Sequence, residues 1–305
     1  MCVMFMERFV SAVPIAAGWS ADRKFCVTDT DGTKYLLRIS SPEKEAYKRL
    51  EFQMMESVAA LGIPMSRPVE FGVCEEGVYS LQSWIDGMDL SEALKPMGAE
   101  TRYEYGVESG RILRRIQEAP VPPEENEESW DDYYNRKIDR RISAAVECPV
   151  KFRGQEDMIA YVKANRSLLK GRERTYQHGD YHVGNLMVDR QGRLQVIDFD
   201  RYEFGDPWEE FVRIKFDVEA SADFARGRID GYFGGKNCVP QEFWKLLAFY
   251  LVSTEISSPN WACQFDAGAV QKSVQLAEGV YDWYDWKDGW ISDPVPKWYR
   301  EREWG

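Results

Sequence analysis

Hydrophobic residues in the first third of the chain recur at intervals of two, and then of three and four. From Lys24 to Ser40, KFCVTDTDGTKYLLRIS, apolar and polar residues alternate on both sides of Asp31-Gly32, which supplies hairpin turn chemistry. Ser41 followed by Pro42 predicts a helix start, with Ser as N-cap and Pro at the first helical position. Tyr47, Leu50, Met54, Val58 and Leu61 then recur at helical spacing up to Gly62, which predicts one helix with that row as its buried face. PVEFGV and GVYSLQSWI read as two further strands around the charged turn Glu75-Glu76-Gly77. The pattern describes a small α+β lobe over residues 1–86, with a linker at 82–87.

Beyond residue 87 the pattern changes to helix formers, in SEALKPMG and TRYEYGVESGRILRRIQEA. Between Glu118 and Asp132 stand seven carboxylates and no Lys or Arg, the pattern of a solvated acidic loop. TYQHGDYHVGNLMVDRQGRLQVIDFD returns to strand and turn, with Arg190-Gln191-Gly192 closing a hairpin. The chain from residue 207 is helical and aromatic. Its five Trp between 283 and 304 read as core packing, with a stacking surface for an apolar ligand as the alternative. Residues 87–305 therefore form a second, larger and mostly helical lobe.

A chain of 305 residues is long enough for two lobes with substantial cores. Its formal charge of −12 excludes the basic surface that nucleic acid requires, and suits a cationic ligand or simple solubility. Six cysteines without a Cys-x-x-Cys pair indicate neither a zinc cluster nor a disulfide framework, and fit reduced thiols in a cytoplasm. The apolar N-terminus is interrupted by Glu7 and Arg8 with no basic region before it, so it does not read as a signal peptide. No apolar run reaches the ~18 residues of a membrane span.

The stretch QHGDYHVGN, residues 177–185, holds both histidines of the chain. His178, Asp180 and His182 alternate and are residue types that ligate zinc, but a closed site needs a fourth ligand and no other His exists. The plain alternative for each is a buried histidine bonded to backbone. A different set begins at Asp180, continues five residues later at Asn185, and ends thirteen residues further at Asp198 after an apolar strand. An Asp that accepts a hydroxyl proton, with an Asn oxygen and a second carboxylate as hard ligands for Mg²⁺, are the parts of a phosphoryl-transfer site.

HGDYHVGN followed by VIDFDRYEFGDPWEE resembles the signature of the aminoglycoside phosphotransferase family, small-molecule kinases with a two-lobed, protein-kinase-like fold. The resemblance spans roughly residues 15–260. It implies Asp180 as catalytic base, Asn185 and Asp198 as Mg²⁺ ligands, His178 and His182 as shapers of the loop, and Asp200 and Asp206 as supporting residues. For an ATP or GTP donor it implies Arg38 at the place of the lysine that grips phosphates, a fork in place of a point charge, with Glu51 as its helix partner. Ser83 C=O and Ile85 N–H would meet the base, and residues 18–24, with Ser20 and Lys24, would form the phosphate-covering turn. The implied activity is O-phosphorylation of a small cationic or polyhydroxylated molecule, with no nucleic-acid or membrane partner. An aminoglycoside-type antibiotic leads, with the 118–132 segment and carboxylates such as Glu210 and Glu219 facing its charge. Kinases of macrolides, amino alcohols, sugars or fructosamines are alternatives. A pseudokinase is suggested by Arg38 and opposed by the complete Asp180, Asn185 and Asp198 set. A protein serine/threonine kinase is disfavoured, since no activation segment ending in Ala-Pro-Glu follows Asp198.

Overall fold

Alternating residues on either side of Asp31-Gly32 form the expected hairpin in the computed structural model, which describes residues 6–16 and 22–301. Strands β1 (Ser11–Ile15), β2 (Arg23–Thr28), β3 (Lys34–Ser40), β4 (Pro68–Cys74) and β5 (Gly77–Ser83) make one antiparallel sheet in the order β1-β2-β3-β5-β4. At the β2–β3 turn Gly32 takes φ 87°, where a side chain is disfavoured, and the Thr33 N–H donates to Asp31 at 2.8 Å. The sheet's core is Val27, Leu37, Ile39, Tyr79 and Leu81 with Phe9. Each such side chain contributes about 1.5–3 kcal/mol on full burial.

Ser41 and Pro42 open a single 3₁₀ turn, Pro42–Lys44, before the α-helix Glu45–Ala60, and the Ser41 hydroxyl makes no cap bond. The helix's buried face differs from the apolar row expected. It carries Lys48, Glu51, Phe52, Met54, Met55 and Val58, while Tyr47 and Leu50 are 46% and 42% exposed. Two charged residues turn inward because ion partners await them there. Tyr47 stacks on Tyr202 at 5.8 Å and donates its hydroxyl to the Asp200 carbonyl at 2.9 Å.

The chain divides into two compact units, Met1–Lys95 with Gly184–Tyr202, and Pro96–Val183 with Glu203–Gly305. In the first unit β6 (Gly87–Asp89) pairs with a later hairpin. Further along, β7 (Thr175–Gln177) precedes that hairpin, β8 (Leu186–Asp189) and β9 (Leu194–Val196), and β10 (Glu203–Gly205) follows it. Gly192, at φ 78°, closes the β8–β9 turn, and Asp189 accepts the Gln191 and Arg193 N–H groups at 2.9 Å.

The second unit is helical apart from the β7–β10 pair and a short hairpin near residue 290. Helices Ala99–Ile116 and Ala222–Phe233 touch backbone to backbone through four glycines, each pair spaced by four. A Cβ on Gly110 would lie 2.0 Å from the Arg228 carbonyl oxygen, and one on Gly227 would lie 2.1 Å from that of Tyr103. Helix Gln241–Glu255 is apolar on nearly every side, so it runs through the middle of the unit with Phe243, Leu247, Tyr250 and Leu251 buried. The acidic segment ends as helix Trp130–Glu147, whose cap Ser129 accepts from the Asp132 N–H. Of the C-terminal tryptophans, Trp286 stacks on Tyr281 at 4.8 Å and Trp298 is buried against Trp283 and Tyr299, which is packing. Trp290, in the exposed hairpin, is 54% exposed and departs from that expectation, and Trp304 lies outside the described residues. No described helix is long and apolar enough to cross a membrane.

Candidate functional site

The residues singled out by the sequence fall in both units. His178, Asp180, His182 and Asp206 belong to the second; Lys24, Arg38, Glu51, Ser83, Ile85, Asn185, Asp198 and Asp200 belong to the first. Ser20 lies outside the described residues.

Strand β7 leads directly into the loop that carries Asp180. His178 is fully buried, its Nδ1 accepts the Asp180 N–H at 3.3 Å, and its ring stands edge-on to Tyr181. Gly179 takes φ 80°, which turns the backbone so that its own N–H and that of Tyr181 point to one carboxylate, Glu210, at 3.0 and 3.3 Å. The Val183 N–H finds a second carboxylate, Asp217, at 2.8 Å. Asp217 in turn pairs with Arg228, which also donates to the Tyr181 carbonyl at 3.0 Å and to Ser109 Oγ at 3.1 Å.

Burial pushes both carboxyls up, and the bonds they accept only partly offset it: Glu210 rises to about 7 and Asp217 to about 6. Glu210 therefore does not face an acceptor as expected, because it is only 3% exposed and spent on the loop. Glu219 pairs with Lys272 instead. Asp217 had no sequence signal, being one acid among many in a helical stretch.

Around Asp180 itself, Arg213 Nε lies 3.0 Å from Oδ1, and His182 Nε2 lies 3.7 Å from the same oxygen. His182 packs on Phe216, and burial, only partly countered by Asp180, pulls its pKa down to about 4, so the ring is neutral near pH 7. Asp206, fully buried, accepts from Arg172, from the Trp208 N–H at 2.9 Å and from the Tyr250 hydroxyl at 2.8 Å. It fastens the chain after β10.

The first unit gathers a cluster of charges. Arg38, on β3 and 3% exposed, donates to Asp198 at 2.6 Å, to Asp200 at 2.7 Å and to Asp22 at 3.1 Å. Lys48 reaches the same Asp22 at 2.9 Å and Glu51 at 2.8 Å. Lys24 stands 3.9 Å from Asp198. Burial opposes ionisation of Asp22, but Lys48 and Arg38 outweigh it and hold the carboxyl down to about 2. Burial likewise raises Glu51 against the pull of Lys48 and Arg38. The helix glutamate thus takes as its ion partner a lysine three residues before it, while Arg38 serves three aspartates. Neither Asp22 nor Lys48 was singled out from the sequence, although Lys48 interrupts the helix's inner face.

Asn185 immediately precedes β8, and its carbonyl accepts the Ile197 N–H at 3.1 Å, so the ladder brings it beside the end of β9. Asp198 follows at φ 66°, a left-handed conformation that few residues other than glycine adopt and that is commonest at functional turns. An amide oxygen and a carboxylate are donors suited to a hard cation such as Mg²⁺. Among the described residues no group of three or more His, Cys, Asp or Glu could hold a metal, so a cation here would need further oxygens from a ligand or water. In the linker the Ser83 carbonyl accepts the Ser66 hydroxyl at 2.8 Å, and the Ile85 N–H makes no hydrogen bond among the described residues.

A sequence model of the phosphotransferase enzyme family matches residues 11–241. Comparison with curated protein sequences finds no match. Among solved structures, amicoumacin kinase hAmiN in complex with AMP-PNP, Ca²⁺ and Ami is 14% identical, with a TM-score of 0.65 over 98% of this chain and 96% of that one. The GDP complex of wild-type aminoglycoside 2'-phosphotransferase-IIIa is 12% identical, with a TM-score of 0.64 over 89% and 92%. A choline/ethanolamine kinase family protein from Mesorhizobium loti is 14% identical, with a TM-score of 0.65 over 92% and 95%. At these identities the likeness establishes a kinase-like α+β fold.

Proposed function

Because the chain belongs to the phosphotransferase enzyme family, we propose that it moves the γ-phosphoryl group of ATP or GTP to a hydroxyl of a small molecule, with Asp180 as the base. The observation that carries this reading is the build of the Asp180 loop. Two buried carboxylates hold its backbone amides, and the Asp180 side chain stays 19% exposed beside a guanidinium. That is much scaffolding for one carboxylate. An acceptor hydroxyl would donate to Asp180, which needs only to orient it, since the loose transition state asks for positioning more than strong base catalysis.

Asn185 and Asp198 would hold Mg²⁺, which when bound offsets the charge of the phosphates. Lys24, Arg38 and Lys48 would supply the cations that meet the nucleotide's phosphates, with Glu51 orienting Lys48 and Ser20 as a further candidate contact. The open Ile85 N–H and the Ser83 carbonyl would meet the base. His178 and His182 shape the loop, Asp206 fastens the chain after β10, and Asp200 supports Arg38. The described complexes of relatives contain AMP-PNP in one case and GDP in another, so both nucleotide types are donors to test. The six cysteines without a Cys-x-x-Cys pair support a reaction in the cytoplasm, and the acidic charge supports an acceptor other than nucleic acid.

An aminoglycoside-type antibiotic is the acceptor to which the sequence pattern leads. A less cationic hydroxylated acceptor, such as a macrolide, an amino alcohol or a sugar, is favoured by one observation. The carboxylates offered to a polycation are partly spent: Glu210 on loop amides, Glu219 on Lys272, Glu128 on Arg136. The test is a coupled nucleotide-turnover screen across these classes with both nucleotides, run beside Asp180→Asn. That variant should bind nucleotide normally and lose turnover by about 10²–10⁴-fold. A fully active Asp180→Asn enzyme removes the base assignment, and nucleotide binding without any turnover points to a pseudokinase.

A further inference from the structure

We propose that Arg213 is a catalytic residue, the cation that meets the phosphoryl group in transfer; this rests on the reading of Asp180 as the base. Arg213 ends the 3₁₀ segment Glu209–Arg213 and leads into helix Ile214–Ala220. The same segment provides Glu210, and the helix provides Asp217. The element that fixes the loop's amides at Gly179, Tyr181 and Val183 therefore also fixes Arg213 against the loop's one partly exposed acid.

The guanidinium is underused. Its five N–H donors make no hydrogen bond of good geometry among the described residues, and Asp180 is its sole ion partner there. Several more deeply buried arginines are committed: Arg38 to three carboxylates, Arg172 to Asp206 through two nitrogens, and Arg228 to Asp217, Tyr181 and Ser109. Arg174 shares the unspent donors but stands by Glu125 and Glu128, away from Asp180. Arg213 is also reachable, with 26% of its side chain exposed beside the 19% of Asp180. A fixed, accessible fork with unspent donors is built for an anion.

The chemistry of the transfer says which anion passes there. The acceptor oxygen is bonded to Asp180, and the phosphoryl group travels in line to that oxygen. Its equatorial oxygens, over which the charge of the loose transition state spreads, come within one side chain's length of Asp180. The bond from phosphorus to the nucleoside diphosphate breaks, the bond to the acceptor oxygen forms, and the acceptor's proton goes to the Asp180 carboxylate. Arg213 keeps its protons throughout and shares its charge with the phosphoryl oxygens during transfer.

Arg213→Ala and Arg213→Lys test this in the full chain, with the acceptor found by the screen or, without one, the slow transfer of phosphoryl to water. For Arg213→Ala, kcat should fall about 10³-fold, in the range of an arginine acting on a transferring phosphoryl group. Fluorescent-nucleotide titration should give a Kd within twofold of the parent. Added guanidinium ion should restore part of the rate. Arg213→Lys should retain more of kcat than Arg213→Ala does. A kcat within threefold of the parent, a change confined to the acceptor's KM, or a loss that guanidinium does not restore would each overturn the proposal. If Asp180→Asn is inactive while Arg213→Ala is not, this inference fails alone; if Asp180→Asn is active, the base reading fails first.

Discussion

Glu210 gives a prediction in which stability and site architecture meet. Burial lifts its carboxyl from the ordinary 4.5 to about 7. At about 1.4 kcal/mol per pH unit, that gap is worth about 3 kcal/mol. The sign follows from which state holds the proton: folded protein keeps a proton on Glu210 that the unfolded chain releases above pH 4.5. Stability is therefore fully present below pH 4.5 and is lost as pH rises through about 7. Glu210→Gln removes the ionisation while leaving an oxygen to accept from Gly179 and Tyr181. The amide nitrogen that replaces Oε2 then faces the Gly179 N–H at 3.2 Å, at a cost of about 1 kcal/mol. Above pH 7.5 the variant should be the more stable protein by about 2 kcal/mol, or about 3 °C in Tm for a chain of this size. Below pH 4.5 the order should reverse. Asp217, raised to about 6, contributes to both proteins equally and cancels in the difference. Thermal unfolding of parent and variant from pH 4 to 9 measures the crossing. A difference that does not change with pH, or a variant less stable at pH 8, would refute the reasoning that burial of charge dominates at this position.

Two further predictions concern residues whose roles rest on shape and geometry. Gly110→Ala should destabilise by at least about 2 kcal/mol, because the new methyl meets the Arg228 carbonyl oxygen at 2.0 Å and two helix backbones must part. Gly279→Ala, also in a helix but with nothing within 4 Å, should instead stabilise by about 0.5–1 kcal/mol, and denaturant midpoints of the pair check both signs. Arg38→Lys, which conserves charge, should lower both stability and nucleotide affinity, because one ammonium cannot reach the three carboxylates that the guanidinium fork spans. Lys48→Met should weaken nucleotide binding at least as much as Arg38→Lys does; titration with a fluorescent nucleotide ranks them, and an unaffected Lys48→Met removes that lysine from the phosphate site.

What could be read from the sequence divides along a physical line. Turns announce themselves locally: Asp31-Gly32 and Gln191-Gly192 carry the left-handed glycine a tight hairpin needs, and both hairpins stand where alternation placed them. The nearness of Asn185 to the end of β9, just before Asp198, is legible for the same reason, since one hairpin separates them. The partners of buried charges are not local. Arg38 meets Asp198 across 160 residues, Val183 meets Asp217 across 34, and no short-range pattern distinguishes those acids from the others in an acidic chain.

The helix Glu45–Ala60 shows how this misleads. Apolar periodicity selected Tyr47 and Leu50 for burial, yet Lys48 and Glu51 occupy the inner face because Asp22 offers Lys48 an ion partner there. Burying an unpaired charge costs far more than exposing a leucine, so once a partner exists the charged pair decides the helix's rotation. Lys48 and Glu51 at a spacing of three were thus the discoverable signal, a salt-bridged pair lying close to an otherwise apolar row. The same argument applies to Arg213: an arginine held near a buried acid at a helix start reads from sequence as surface, and only its nearness to Asp180 with donors unspent marks it as a residue waiting for an anion.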